Sequence, residues 1–265
     1  MRSLWKGSIS FGLVHIPVRL YAATEDRSVR FHLLHRRCGN RVRYRRWCDH
    51  CNVELGNEDI ARAYAWAPDQ YVIVEDEDLE GLPLPTARTV AIQSFVRLDS
   101  IDPIYFDRTY FLEPVEGGGR AFGLLREAMR QTGRAAVARV VLRNKDSLAC
   151  VRVYADRGLA LETMHRPDEI RPVEALAGLE AAAAPSDPRE LALAIDLIDR
   201  LTAPFEPGRY PDEYREALLA LIEARVQGRQ ITVPPAQPAT PVVDLMEALR
   251  ASLQQAEQGG PAPAR

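Results

Sequence analysis

The chain has 265 residues, 46% hydrophobic and 27% charged, a globular composition long enough for one large domain or two small ones. No stretch approaches the ~20 consecutive apolar residues that cross a bilayer. The opening MRSLWKGSISFGLVHIPVRL has no apolar segment ending in a small-residue cleavage site, so a cytoplasmic protein with an intact N-terminus is expected. The net charge of -3 hides an uneven distribution. Residues 1–46 hold eleven Lys and Arg against two acids, net +9, and residues 47–100 hold three against eleven, net -8. A polyanion responds to the local field rather than to the sum, so total charge excludes no nucleic-acid partner.

In chain order, SISFGLVHIPVRLYAA, QYVIVEDEDL and ARTVAIQSFVRL alternate with β-branched and aromatic residues and are predicted strands. Gly12 is expected at a bulge and Pro17 at an edge, which puts the opening stretch at a rim. PIYFDRTYFLEP, bounded by prolines, is a candidate for a further strand pair. RAFGLLREAMRQTG is a predicted helix, with Phe122, Leu125 and Met129 on its apolar stripe and Gly133 as its stop. Residues 135–165 are expected to form a three-strand meander. Arg139, Val141 and Arg143 lie on one face of its first strand, because side chains repeat every second residue. Asp187-Pro188-Arg189-Glu190 opens a helix with a capping aspartate and proline at the first position, its stripe carrying Leu191, Ile195 and Ile198. A second helix starts at Pro211, with Tyr214, Leu218, Leu221 and Ile222 on its inner face. VPPAQPATP is a semi-rigid spacer. Beyond it a short amphipathic helix carries Leu245, Met246, Leu249 and Leu253, and either meets a partner or folds back on its own domain.

One run concentrates the chemistry. HRRCGNRVRYRRWCDHC, residues 35–51, holds three cysteines, two histidines and six arginines. His35-x2-Cys38 and Cys48-x2-Cys51 are two ligand pairs, each able to turn back on one ion, and three thiolates with one imidazole suit a closed, structural Zn2+ site. His50 competes with His35 for the fourth position, and three free cysteines are the alternative. Four cysteines are too few for a disulfide scaffold in a chain this long. Between the pairs, Arg41, Arg43 and Arg45 alternate with Val42 and Tyr44 and would project from one face of a hairpin arm. A second basic set, Arg126, Arg130, Arg134, Arg139, Arg143 and Arg152, is distant in sequence, and two such sets favour a polyanion partner over a merely solvated face. His15 and Cys150, among apolar residues, are expected in the core. The acid run at residues 75–78 is expected to be a solvated turn. No Walker loop, dinucleotide fingerprint, HExxH motif or nucleophile elbow is present, so no catalytic residue is assigned and a binding protein is favoured.

The segments RSLWKGSISFGLVHIPVRLYAATED, RFHLLH, EDIARAYAWAPDQYVIVEDEDLE, PIYFDRTYFLEP and DLMEALRASL resemble the bacterial Ku proteins of non-homologous end joining, in the same order over nearly the whole chain. The resemblance implies a mixed α+β protein. A β-barrel core with an inserted DNA-encircling arm, residues 1–185 with the knuckle hairpin at 35–51, is followed by a helical region at 186–228. A linker and docking helix complete it at 229–265. It implies a ring-shaped homodimer that threads onto double-stranded DNA ends, contacts the backbone rather than bases, and has no active site. By similarity Arg126, Arg130, Arg134, Arg139, Arg143 and Arg152 would line the DNA, and the meander would also serve dimerisation. Tyr214, Leu218, Leu221, Leu245, Met246 and Leu249 are candidates for docking a multidomain ATP-dependent DNA ligase. Residues 229–265 hold three basic and three acidic residues rather than a lysine-rich extension, so no DNA-bridging role attaches to them. Two other readings compete. A zinc-ribbon transcriptional regulator would bind a particular closed sequence, and a metal-dependent hydrolase or nuclease would degrade linear DNA.

Overall fold

The computed structural model describes residues 1–80, 88–142, 145–179, 187–228 and 245–257, and every feature below belongs to them. The chain divides into two compact units, Met1–Arg27 with Phe31–Arg171, and Ser28–Arg30 with Pro172–Arg265.

The first unit is built on a closed seven-strand barrel. Its strands are β1 (Trp5–Phe11), β2 (Val14–Ala22), β7 (Thr89–Arg97), β8 (Phe106–Pro114), β9 (Arg134–Leu142), β10 (Lys145–Tyr154) and β11 (Gly158–Met164). They follow the order β1-β2-β8-β11-β10-β9-β7, and β7 closes the circle by pairing parallel to β1. Alternation explains the closure. Ile9, Ile16, Val18, Leu20, Val140 and Leu161 point to one shared cluster. Ala136, Ala138 and Ala149 are also fully buried there, small residues set against large ones as a narrow barrel requires. Gly7 is forced by close approach, since a Cβ there would lie 2.2 Å from the Arg88 carbonyl oxygen and 2.2 Å from the Trp5 ring.

One end of the barrel is plugged by a helix. The expected helix forms as Gly119–Thr132, with Gly133 left-handed at its C-cap. It connects the end of β8 to the start of β9, and it places Phe122, Leu125 and Met129 in the same cluster as the barrel interior. Each such side chain contributes on the order of 1.5–3 kcal/mol by leaving water. The opposite end keeps a cavity of about 290 Å³ lined by Trp5, Leu20, Tyr110, Leu142, Ser147 and Thr163.

Three expectations are corrected. Gly12 is not at a bulge but in the β1–β2 hairpin turn, at φ +57°, a conformation glycine adopts without strain. Pro17 is not on an edge strand, because a closed barrel has none, and the opening stretch is a full stave of the wall; Pro17 sits opposite Ser8. It is tolerated because the β2–β8 ladder begins only at Val18, and Pro17 itself merely accepts, from the Val115 amide at 3.0 Å. His15 is exposed while Cys150 is buried as expected. With Ile16 turned inward, the pleat turns its neighbour out.

Between β2 and β7 lies an insertion, residues 23–88, that carries its own small elements. These are β3 (Trp47–Cys48), β4 (Val53–Glu54), β5 (Arg62–Ala67), β6 (Gln70–Val74) and the short helix α1 (Asp76–Glu80). The acid run therefore starts a helical turn, in which the Asp78 carboxylate accepts from the Glu75 amide at 3.0 Å. The plug helix is α2 in this order.

The second unit is helical. Helix α3 (Pro188–Leu201) opens on Asp187, whose carboxylate accepts from the Arg189 amide at 2.8 Å, the cap legible in the sequence. Helices α4 (Glu213–Val226) and α5 (Leu245–Glu257) follow. The α5 helix packs on α3, so it folds back on its own unit. The apolar stripe of α3, Leu191, Ile195 and Ile198, is exposed, and so is Tyr214, expected on the inner face of α4. On α3, Leu193, Ala194 and Leu197 are the partly buried positions instead. Among the described residues, no helix is long and apolar enough to cross a membrane.

Candidate nucleic-acid interface

The basic residues singled out by sequence fall into three groups once their partners are known. Arg45, Arg130, Arg139 and Arg152 are held in ion pairs. Arg45 meets Glu54 at 2.9 Å, Arg130 meets Glu127 at 2.7 Å, Arg139 meets Asp146 at 2.6 Å, and Arg152 meets Glu162 at 2.6 Å. Arg41 lies 2.8 Å from His32 Nε2, and Arg126 donates to the Arg157 carbonyl at 2.9 Å. Arg43 and Arg134 are exposed, with no ion-pair partner among the described residues. Arg143 lies outside the described residues.

The Arg152–Glu162 pair is the most enclosed of these. The connection from β7 to β8 passes two short 3-10 turns, Leu98–Ser100 and Pro103–Tyr105. It lies along the outer wall of β9, β10 and β11, where its side chains line one groove with Arg134, Arg152 and Glu162. Between this strap and the wall runs a groove of about 980 Å³, lined by Arg97, Ile101, Phe106, Arg134, Arg152 and Glu162. Glu162 is 6% exposed, and its second carboxylate oxygen has no partner. Arg152 also stands over the Tyr154 ring, 5.7 Å from its centroid. Hydrogen bonding to Glu162 raises the Arg152 pKa, and burial pushes the Cys150 thiol up to about 12, an inert core thiol rather than a reactive one. The meander expected to encircle DNA is thus three consecutive staves of the barrel, and the elements that project from it are those of the insertion.

The outer face of β1 and β2 has another character. Lys6 lies directly opposite Arg19, Ser8 opposite Pro17 and Ser10 opposite His15. Arg19 has Glu113 as its neighbour on β8, yet that carboxylate accepts instead from the Tyr21 hydroxyl, at 2.5 Å. The turn into α2 borders this face, where Gly118 approaches Pro17. None of these β1–β2 positions was singled out by sequence as part of a charged face; His15 was expected in the core and Pro17 at an edge. The signal was present in the alternation of Lys6, Ser8 and Ser10 with Trp5, Gly7, Ile9 and Phe11, and it was masked by the expectation that this stretch lies at a rim.

The knuckle residues form two local pairs. His35 Nδ1 lies 2.9 Å from Cys38 Sγ. Around the second pair, Cys48 is lowered from its ordinary pKa, first by the Cys51 backbone amide and then by its thiol, while Cys51 is raised by hydrogen bonding to Cys48. His50 Nδ1 is 3.7 Å from Cys51 Sγ. The pairs are not gathered into one cage, since no group of three or more His, Cys, Asp or Glu side chains among the described residues is placed to hold an ion. The donors themselves, three thiols and an imidazole in one exposed segment, suit zinc by chemistry.

In the helical unit Leu218, Leu221, Met246 and Leu249 are partly buried, while Tyr214 and Leu245 are exposed.

The family model described as the Ku70/Ku80 beta-barrel domain matches residues 10–193. The chain belongs to the Ku family. A relative from Symbiobacterium thermophilum, named "Non-homologous end joining protein Ku", is 53% identical over 97% of this chain and 64% of its own length. The chain therefore spans under two thirds of that relative. Relatives of the same name from Heliobacterium modesticaldum and Bacillus subtilis are 48% and 42% identical, each over 96% of this chain, and over 92% and 82% of their own lengths. Among solved structures, the SPOC domain of human PHD-finger protein 3 aligns with 13% identity and a TM-score of 0.30 over 62% of this chain and 95% of that one. At that score it carries no argument. The Ku match spans six of the seven barrel strands in full and the last two residues of β1, so the closed barrel is the family's own feature.

Proposed function

We propose that this Ku-family chain binds double-stranded DNA ends without regard to sequence, as a ring-shaped homodimer acting in double-strand break repair by non-homologous end joining. It would protect the ends and recruit an ATP-dependent DNA ligase, with no chemical step of its own. The observation that carries this reading is the family match across the barrel together with relatives of that name over nearly the whole chain.

A second copy is supported by the β5–β6 ribbon. Tyr64, Trp66, Tyr71, Val72 and Ile73 are all more than half exposed, and a two-stranded ribbon without a covered face is marginally stable in water. Arg41, Arg43, Arg126 and Arg134 are the proposed phosphate contacts from the original sets. Arg45, Arg130, Arg139 and Arg152 would each have to exchange a carboxylate for a phosphate. Zn2+ held by His35, Cys38, Cys48 and Cys51 would fix the knuckle once the two pairs meet. The helical unit, through Tyr214, Leu218, Leu221, Leu245, Met246 and Leu249, is the proposed ligase-docking element.

The test compares one duplex, linear and then closed as a covalent minicircle, in a gel shift at fixed salt. A ring has no entry onto closed DNA, so binding to the linear form alone is expected. Equal binding to both would replace the ring with an open basic surface and favour the zinc-ribbon regulator.

A further inference from the structure

We infer that the cavity at the end of the barrel opposite α2 is a binding site for a small molecule with an apolar body and a carboxylate head, an assignment independent of the end-binding reading above.

The first ground is a set of donors that folding leaves without acceptors. Trp5, Tyr110 and Ser147 line the cavity. The Trp5 indole Nε1 is enclosed and has no acceptor. Neither the Tyr110 hydroxyl nor the Ser147 hydroxyl has a hydrogen-bond partner among the described residues. Enclosed polar atoms are paired in most folded proteins, because a bond made to water and not remade on folding is lost outright. Thr163, on the same lining, shows the usual outcome: its hydroxyl donates to Asp107 at 3.2 Å and accepts from the Arg108 amide at 3.1 Å. A group that only accepts completes the other three.

The second ground is what surrounds those donors. Leu4, Leu20 and Leu142 supply an apolar wall, and Trp5, Tyr110 and Leu142 rest on the barrel core, so the cavity is an extension of that core left unfilled. An apolar hollow with a few convergent polar groups is the usual form of a small-molecule site. Its volume of about 290 Å³ holds about ten non-hydrogen atoms at the roughly 30 Å³ that each water takes in the liquid. The charges fix the sign of the head group. Arg108 and Lys145 also line the cavity, both exposed and only loosely paired, Arg108 at 3.9 Å from Asp107 and Lys145 at 3.6 Å from Glu169. Such pairs hold weakly in water and yield to a competing anion. Asp107 beside them opposes a second negative charge, which favours a carboxylate over a phosphate. The ligand class is therefore an apolar monocarboxylic acid, its head among the donors and its body against the leucines.

The experiment uses the full chain with isotope-labelled tryptophan and octanoate as the probe, with octanol and octylammonium as head-group controls. The chain holds three tryptophans, Trp5, Trp47 and Trp66, and the Trp5 indole N–H resonance is assigned by its loss in Trp5→Phe. Octanoate should shift that resonance alone, with half-saturation on the order of 1 mM. Octanol should bind about tenfold more weakly, and octylammonium should leave the resonance in place. Tyr110→Phe with Ser147→Ala keeps the shape of the cavity and removes two donors, so octanoate should bind about tenfold more weakly to that variant. Arg108→Gln, an exposed change that folding tolerates, should weaken octanoate about twofold and leave octanol as it was. A Trp5 resonance that stays still at the highest soluble octanoate concentration would overturn the assignment. So would an equal shift with octylammonium, or wild-type affinity in both variants. All three indoles moving together would do the same, by reducing the effect to non-specific coating by a surfactant.

Discussion

In the barrel, Leu161 on β11 is fully buried, whereas in the insertion Trp66 on β5 is 74% exposed, although both are large apolar side chains in short strands. The difference lies in what the two regions close upon. Seven strands in a circle, plugged by α2, supply every inward side chain with neighbours from the same chain. The β5–β6 pair has only itself, and its aromatic residues meet water on both faces. An apolar strand therefore reports that a surface must be covered, not that this chain covers it. The barrel covers its own apolar surface, and the β5–β6 ribbon leaves its own exposed.

The largest expected effect breaks that comparison most directly. Leu161→Ala should destabilise the protein by about 3 kcal/mol, from lost transfer energy and the cavity left behind, read as a shift in urea midpoint at constant slope. Trp66→Ala should stay within about 0.5 kcal/mol in dilute protein, as an exposed substitution does. It should gain an effect only at concentrations where copies associate. A Trp66→Ala loss as large as that of Leu161→Ala, and independent of concentration, would show the ribbon to be covered within one chain.

The same contrast explains what was legible in the sequence. Strand and helix positions followed from period and caps: β7, α2 with its Gly133 stop, and α3 with its Asp187 cap all lie where the patterns put them. Closure was not legible from alternation, since the parallel β1–β7 pairing joins residues some eighty positions apart; the barrel came from resemblance to the family. The candidate site was read by residue type, and charge in a sequence does not reveal its partner. Arg139 and Arg152 looked like free cations, but Asp146 and Glu162, seven and ten residues away, occupy them. Lys6 and Arg19 were passed over because cross-strand adjacency is a register fact, invisible without the hairpin.

A smaller and local effect sharpens the contrast from the side of the insertion. With no core of its own, the knuckle segment should depend on metal for its order, whereas the barrel should not. Purified protein is expected to carry about one zinc per chain, and chelation, or Cys48→Ser with Cys51→Ser, should remove it. Amide exchange should then rise across residues 31–55 and remain unchanged in β1, β2 and β8 to β11. A preparation that is metal-free yet equally protected in that segment would leave the cysteines as free thiols.

The smallest effect concerns how the barrel is stapled. Asp146, 17% exposed, accepts from Arg139 at 2.6 Å and from Arg166 at 2.7 Å, tying β9, β10 and the segment after β11 together. Its pKa is lowered, first by the hydrogen bond from Arg139 and further by the charges of Arg139 and Arg166. A carboxyl that is more acidic folded than unfolded stabilises the protein above the unfolded value of about 3.9, and that contribution fades as pH falls from there through the folded value. Water reaches both guanidinium groups, which keeps the contribution near 1 kcal/mol. Asp146→Asn should therefore lower the urea midpoint by that modest amount at pH 7, with the gap from wild type narrowing as pH drops below about 4. Glu54→Gln, which removes the exposed Arg45 partner in the insertion, should leave the midpoint where it is at either pH. A gap for Asp146→Asn that stays constant down to pH 3 would mean that the carboxylate's charge contributes nothing and that the asparagine disturbs packing instead.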